Sequence, residues 1–196
     1  YQSTSIQSIA TAADVSKGSV YQYFESKEDI LFAIFKLIDD EIWEALSDIR
    51  NDQSLNAEEQ YRQQIITFFD LICDNLQFSQ TVLKDSGLEL SERLMEYAQE
   101  SRYKLQAAQE LSLVRLYGKE ITPWLLDLVI TLNGIMSEID VAIMLDGIDL
   151  KSEKIADYIL AITDFLVKGF VQANPKPLFP KKLRTQREEF LKASQE

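Results

Sequence analysis

The sequence has 196 residues, 46% of them hydrophobic, and a formal net charge of −12 at pH 7. That is enough apolar material for a packed core, and the acidity excludes a generally basic nucleic-acid coat while leaving room for a local DNA-reading face. No histidine is present and Cys73 is the single cysteine, which removes Ser-His-Asp and Cys-His catalysis, His-based metal sites and any internal disulfide framework.

No apolar run approaches the roughly 18 residues needed to span a membrane, and no secretory signal pattern is visible. The expectation is a soluble, cytoplasmic chain with no membrane partner, no metal and no cofactor. Glycine (6) and proline (4) are scarce, and apolar residues recur at three and four, so the fold is expected to be all-α.

In chain order, a first helix is expected from Thr4, with Gln7 completing a capping box and Ile6, Ile9 and Ala10 facing inward. Asp14 and Val15 make a short turn. Ser16 then caps a brief second helix reaching Tyr23. Ser26 and Asp29 form another capping box and open a long helix, Lys27 to about Asp48, with Ile30, Leu31, Ile34, Phe35, Ile38, Ile42 and Leu46 as its stripe.

After the polar connector RNDQSLN, Asn56 and Glu59 cap a helix carrying Ile65, Phe68, Phe69, Ile72 and Leu76. A shorter helix is expected from Gln80 to Leu90. Ser91 begins a long one that Gly118 ends. Thr122 and Pro123 mark the next start, as N-cap and first helical position, with the helix running to Asp146. A last long helix ends near Asn174, ahead of Pro175, Pro177 and Pro180.

The segment VSKGSVYQYFESKEDIL (15–31) is chemically unlike the rest. Two short helices joined by a tight turn form a helix-turn-helix pattern, whose second helix suits a major groove. Ser16 and Ser19 are compact donors. Gly18 costs a helix roughly 1 kcal/mol relative to alanine, so a close approach is its natural reason, and a phosphate backbone is one candidate. Lys17 and Gln22 can reach base edges or phosphates. Tyr21 and Tyr23 carry hydroxyl donors on flat rings, and Lys27 is placed for a phosphate. An ordinary helical corner is the competing reading of these features alone.

The longer string TSIQSIATAADVSKGSVYQYFESKEDIL, Thr4 to Leu31, resembles the DNA-binding signature of the TetR family of transcriptional repressors. Thr4-Ser5-Ile6, Ile9-Ala10, Ala13, Val15 to Ser19, Tyr21, Tyr23-Phe24, Ser26 to Glu28 and Ile30-Leu31 carry it. The resemblance implies a three-helix DNA-binding module, a connecting helix, and a helical regulatory domain whose last two long helices pair between subunits. It also implies a further helix ahead of Tyr1 that covers the apolar side of the module. By position, Thr4, Ser5, Gln7, Ser16, Lys17, Gly18, Ser19, Tyr21, Gln22, Tyr23 and Lys27 form the DNA-binding set. Lys17, Ser19 and Tyr23 act as readers, Gln7 faces the groove, and Tyr21 and Lys27 clamp the backbone.

The expected organisation is a reading module with its connecting helix (1–47), a regulatory and dimerisation domain (48–174) and a Pro-containing basic tail (175–196). Net charge is −2 over residues 1–31, −13 over 32–174 and +3 over the tail, so an acidic body stays off DNA. The helix from Pro123 to Asp146 has two unlike apolar arcs, and the last helix is apolar over most of its wheel. Both are therefore expected to be buried on two sides, with a second subunit as the outer cover. Cys73 reads as a small buried hydrophobe. Glu92, Glu96 and Glu100 read as a solvated face.

An effector pocket is expected among Phe68, Phe69, Phe78, Tyr97, Tyr103, Asn133, Ser137 and Asp140, where aromatics meet the mixed arc. Its walls favour a small, bulky, lipophilic and cationic effector. The function expected is a repressor that binds palindromic double-stranded operator DNA as a homodimer and is released by that effector. An efflux or detoxification gene is the expected target, and no catalytic residue is assigned. The alternatives are a helical enzyme or lipid carrier with an incidental helix-turn-helix, and a family member that has lost DNA binding.

Overall fold

In the computed structural model, the described residues are 4–78, 80, 91–180 and five positions near the end (182, 183, 185, 186 and 189). The described secondary structure is helical throughout. In order it comprises α1 (Ile6–Ala12), α2 (Lys17–Tyr21), α3 (Lys27–Asn51), α4 (Ala57–Asp74), α5 (Glu92–Tyr117), a 3-10 turn (Lys119–Trp124), α6 (Leu125–Asp146) and α7 (Ser152–Ala173). The helix expected from Gln80 to Leu90 lies, apart from Gln80, outside the described residues.

Local chemistry sets most helix ends. Ser26 with Asp29 and Asn56 with Glu59 close reciprocal capping boxes, each satisfying two amides that the first helical turn leaves unpaired. α1 starts one residue later than Thr4 would place it: Ser5 caps it, and Ser8 rather than Gln7 returns the bond. Gly118 (φ 81°) and Gly147 (φ 66°) end α5 and α6 in left-handed backbone that a side chain would strain. Thr122–Pro123 does not begin an α-helix. Thr122 donates its hydroxyl to the Lys119 carbonyl at 2.6 Å, and Pro123 sits inside the 3-10 turn, so α6 starts at Leu125.

α4 is central and packs against α7, α3 and α5. The core is built from Tyr61, Ile65 and Phe69 of α4, Leu113 of α5, Leu125, Leu128 and Leu132 of α6, and Ile155, Ile159 and Val167 of α7. The segment Lys119–Asp146 is by length and composition long and apolar enough to cross a membrane, contrary to the sequence expectation. One side of it, at Leu125, Leu128, Val129 and Leu132, is sealed in this core, and Asp127, Glu138 and Asp140 interrupt the rest. The start of the tail is fastened to the body: Trp124 donates to the Pro175 carbonyl and the Leu178 amide to the Asp127 carboxylate, both at 2.7 Å.

α3 begins at the helix-turn-helix and ends in the body. α5 runs alongside and ties it at three levels. Arg93 reaches Asp29 at 3.1 Å and stacks its guanidinium 4.0 Å from the centre of the Phe32 ring. Tyr97 donates to Asp39 at 2.9 Å, and Ser101 donates to the other oxygen of that carboxylate. Arg115 donates to the Arg50 carbonyl at 3.0 Å. Partial burial, and then the bond to Asp39, push the Tyr97 phenol well above its ordinary range, so it stays a donor.

Asp39→Ala removes the acceptor of two side chains and is expected to lower stability by about 1–3 kcal/mol. Leu37→Ala, two residues away but 69% exposed, is expected to change it by less than about 0.5 kcal/mol. Urea unfolding of the two variants side by side checks this.

Candidate nucleic-acid interface

The backbone between α1 and α2 turns at Asp14, whose φ of 53° is tolerated by a short polar side chain. Ser16 then caps α2, accepting from the Ser19 amide at 2.9 Å while the two hydroxyls meet at 2.8 Å. These serines are therefore part of the cap as well as candidate donors. Val20 and Ala10 are buried between the two short helices and fix their crossing.

That packing turns one polar face outward. Thr4, Ser5, Gln7, Lys17, Tyr21 and Lys27 line a single shallow concavity across the starts of α1, α2 and α3. The Lys17 ammonium lies 5.7 Å from the centre of the Tyr21 ring, which holds it near the surface of the groove. Tyr23 is 81% exposed just past α2, and Gln22 is also exposed. The Asp29 carboxylate points away from use as a competing charge: bonds from Ser26, and then the Arg93 guanidinium, hold it below the usual carboxylate range and occupy it.

Gly18 is exposed in the first turn of α2. A β-carbon there would meet only the Ser16 hydroxyl, at an ordinary 3.7 Å, and its φ is not in the left-handed region. Neither internal crowding nor backbone conformation requires a glycine at this position.

The residues expected to line an effector pocket are not brought around one cavity. Phe68 and Asn133 line a cleft between α3, α4, α5 and α6. Tyr103 and Ser137, with Asn133 again, line a separate, wider groove that Phe179 of the tail borders. Phe69 is fully buried in the core. Phe78 packs edge-on against Phe35, ring centres 5.4 Å apart, and Tyr97 is engaged by Asp39. Asp140 lines neither cavity.

The first cleft is walled by Leu46, Ile65, Phe68, Leu105 and Met136, and holds about 580 Å³ of space not filled by atoms, solvent at its mouth included. Its polar groups are Arg50, Tyr61, Gln64, Gln109 and Asn133, of which the sequence reading singled out only Asn133. Cys73, expected to be buried, is exposed. What cover it has, and then the carboxylates of Asp70, Asp74 and Asp140, hold its thiol above the ordinary range. Among the described residues, no cluster of three His, Cys, Asp or Glu side chains could hold a metal. Glu100 is paired with Lys104 at 2.6 Å.

Burial raises the Asp140 carboxyl pKa, and one of its oxygens is enclosed without a hydrogen-bond partner. A folded-state pKa above the unfolded one means that ionisation opposes folding at neutral pH, an opposition relieved as pH falls through the folded value. Asp140→Asn is expected to raise the melting temperature at pH 7, with a gain that shrinks as pH falls through the carboxylate range. Thermal melts across pH check the sign.

Comparison with known proteins agrees with the geometry at the N-terminus. The family model described as bacterial regulatory proteins, tetR family, matches residues 1–34. The chain is 29% identical over 177 residues to an uncharacterized HTH-type transcriptional regulator, YuxN, of Bacillus subtilis (strain 168), covering 90% of this chain and 60% of that protein. It is 24% identical over 183 residues to a second such regulator of that organism, YerO, covering 92% and 63%. A fatty acid metabolism regulator protein, also of Bacillus subtilis, is 29% identical over 101 residues, covering 49% and 50%. The chain thus spans about 60% of the length of the first two relatives. No solved structure shows significant similarity. The signature, the helix-turn-helix geometry and these relatives agree: the N-terminal module, residues 1–34, is similar to that of the tetR family of bacterial regulatory proteins.

Proposed function

We propose that this protein is a cytoplasmic transcriptional repressor that reads palindromic double-stranded operator DNA as a homodimer and is released by a small lipophilic effector held in the helical body. Gly18 carries the reading. It is a helix-weakening residue with no internal cause, and it stands beside a concavity lined by Lys17, Tyr21, Lys27, Thr4, Ser5 and Gln7. A duplex backbone lying against the start of α2 supplies the missing cause, because the free amides of the first turn favour phosphate only if it can come close. Tyr23, past the end of α2 and open to solvent, is the base-reading candidate. The target class that the resemblance implies is an efflux or detoxification gene.

A second subunit fits the outer faces of α6 and α7. Tyr158 and Phe165 of α7 are 54% and 75% exposed, seven residues and therefore two turns apart on one face. Ala161 lies between them, and Gly134 and Ser137 leave the exposed side of α6 low and open to close approach. Covering that face would bring two reading modules into a fixed relation, as half-sites one helical turn apart require.

Gly18→Ala is the direct test. Folding is expected to be unchanged or stabilised by up to about 1 kcal/mol, while operator binding in a gel shift falls by about tenfold or more. Equal binding by the variant would sink the proposed approach. Lys27→Ala is expected to weaken binding to all sequences and to lower the salt slope by about 1. For the dimer, Phe165→Asp is expected to leave the helical content intact and shift sedimentation to the monomer, and a wild-type monomer at micromolar concentration would contradict the interface.

A further inference from the structure

The cleft between α3, α4, α5 and α6 has an unbalanced set of polar groups. Its acceptors are largely consumed by the protein. Gln109 accepts from the Asn133 amide at 2.5 Å, and Gln64 accepts from the Ser112 hydroxyl at 2.9 Å. Asn133 also donates to the Val129 carbonyl at 2.7 Å, and Gln109 spends its own donor on the Tyr61 hydroxyl at 3.2 Å. The lining residues leave two donors uncommitted, the guanidinium of Arg50 and the amide nitrogen of Gln64, beside one side-chain carbonyl, that of Asn133. No Asp or Glu lines the cleft, and among the described residues none stands in ion-pair range of Arg50. In an otherwise acidic body, a half-buried guanidinium at the mouth of an apolar cleft is a site for a carboxylate.

We propose that this cleft binds an amphipathic anion, its acidic head on Arg50 and its apolar tail along Phe68, Ile65 and Met136. This replaces the cationic effector expected from the sequence, which relied on aromatic walls with carboxylates nearby. It deepens the proposed regulatory function and rests on that reading for its consequence. Arg50 stands in the last turn of α3, and its carbonyl is held by Gln60 at 3.3 Å and by Arg115 at 3.0 Å. A head group on this guanidinium therefore acts directly on the far end of the helix that Lys27 begins.

The test is calorimetric titration of the full chain, without DNA, with monomeric decanoate, decanol and decyltrimethylammonium. Decanoate is expected to bind at least about tenfold tighter than either of the others, the size of one charge-assisted hydrogen-bonded pair. Arg50→Gln should remove that advantage and leave decanol within about threefold, while Arg50→Lys retains most of it. Ala108→Phe, which fills the cleft from α5, should weaken decanoate and decanol alike. The proposal is overturned if the cation binds more tightly than the anion, if none of the three binds, or if decanoate binds Arg50→Gln as well as it binds the natural chain. Because no DNA is present, such a failure leaves the DNA-reading proposal to its own gel shift.

Discussion

The line of ties that lays α5 against α3 is what the rest of the structure hangs on, because α3 begins at the reading face and ends at the cleft. A helix of 25 residues spans about 37 Å at 1.5 Å per residue, and half of it has no deep core beneath it. Its buried positions are only Leu31, Ile42 and Leu46. Polar ties make up the difference. Arg93 joins the first turn through Asp29, Tyr97 and Ser101 share the Asp39 carboxylate at the middle, and Arg115 holds the Arg50 carbonyl at the end. Single exposed pairs of this kind contribute little. Here three are strung along one pair of helices, and the middle one is half-buried, so the strand of ties specifies register as well as adding stability.

The distribution of charge fits the same division of labour. The body carries most of the negative charge, while the reading face carries Lys17 and Lys27, and Asp29 beside it is engaged by Ser26 and Arg93. A duplex would be repelled by the body and meet little repulsion at the concavity. Inside the body the sign reverses again at Arg50, which is the reason an apolar cleft in an acidic protein favours an amphipathic anion.

Much of this was legible in the sequence. Ser26 with Asp29 and Asn56 with Glu59 fixed two helix starts, and Gly118 a helix end, because caps are local chemistry that needs no tertiary partner. The Thr4–Gln7 box lost to Ser5–Ser8 because adjacent hydroxyls compete for one amide and the spacing alone does not rank them. Thr122–Pro123 satisfied the rule for a helix start, yet the chain first makes a tight 3-10 turn that carries Trp124 into the core. The effector cleft was the least legible. Aromatic density pointed to Phe69, Phe78 and Tyr97, but one is core, one stacks on Phe35 and one is spent on Asp39. Arg50, Gln64 and Gln109 look like solvated helix positions until four helices converge, and only their arrangement reveals which donors are left over.

With these ties in place, α3 is expected to behave as one body from the reading face to the cleft. Amide hydrogen exchange along Lys27–Asn51 tests it most directly, since each tie to α5 contributes to a shared opening free energy. The amides of the helix interior, from Leu31 to Leu46, are expected to exchange as a single cooperative unit, and Asp39→Ala to raise exchange on both sides of residue 39. Fast, independent exchange of the half nearer Lys27, unchanged by that substitution, would contradict it.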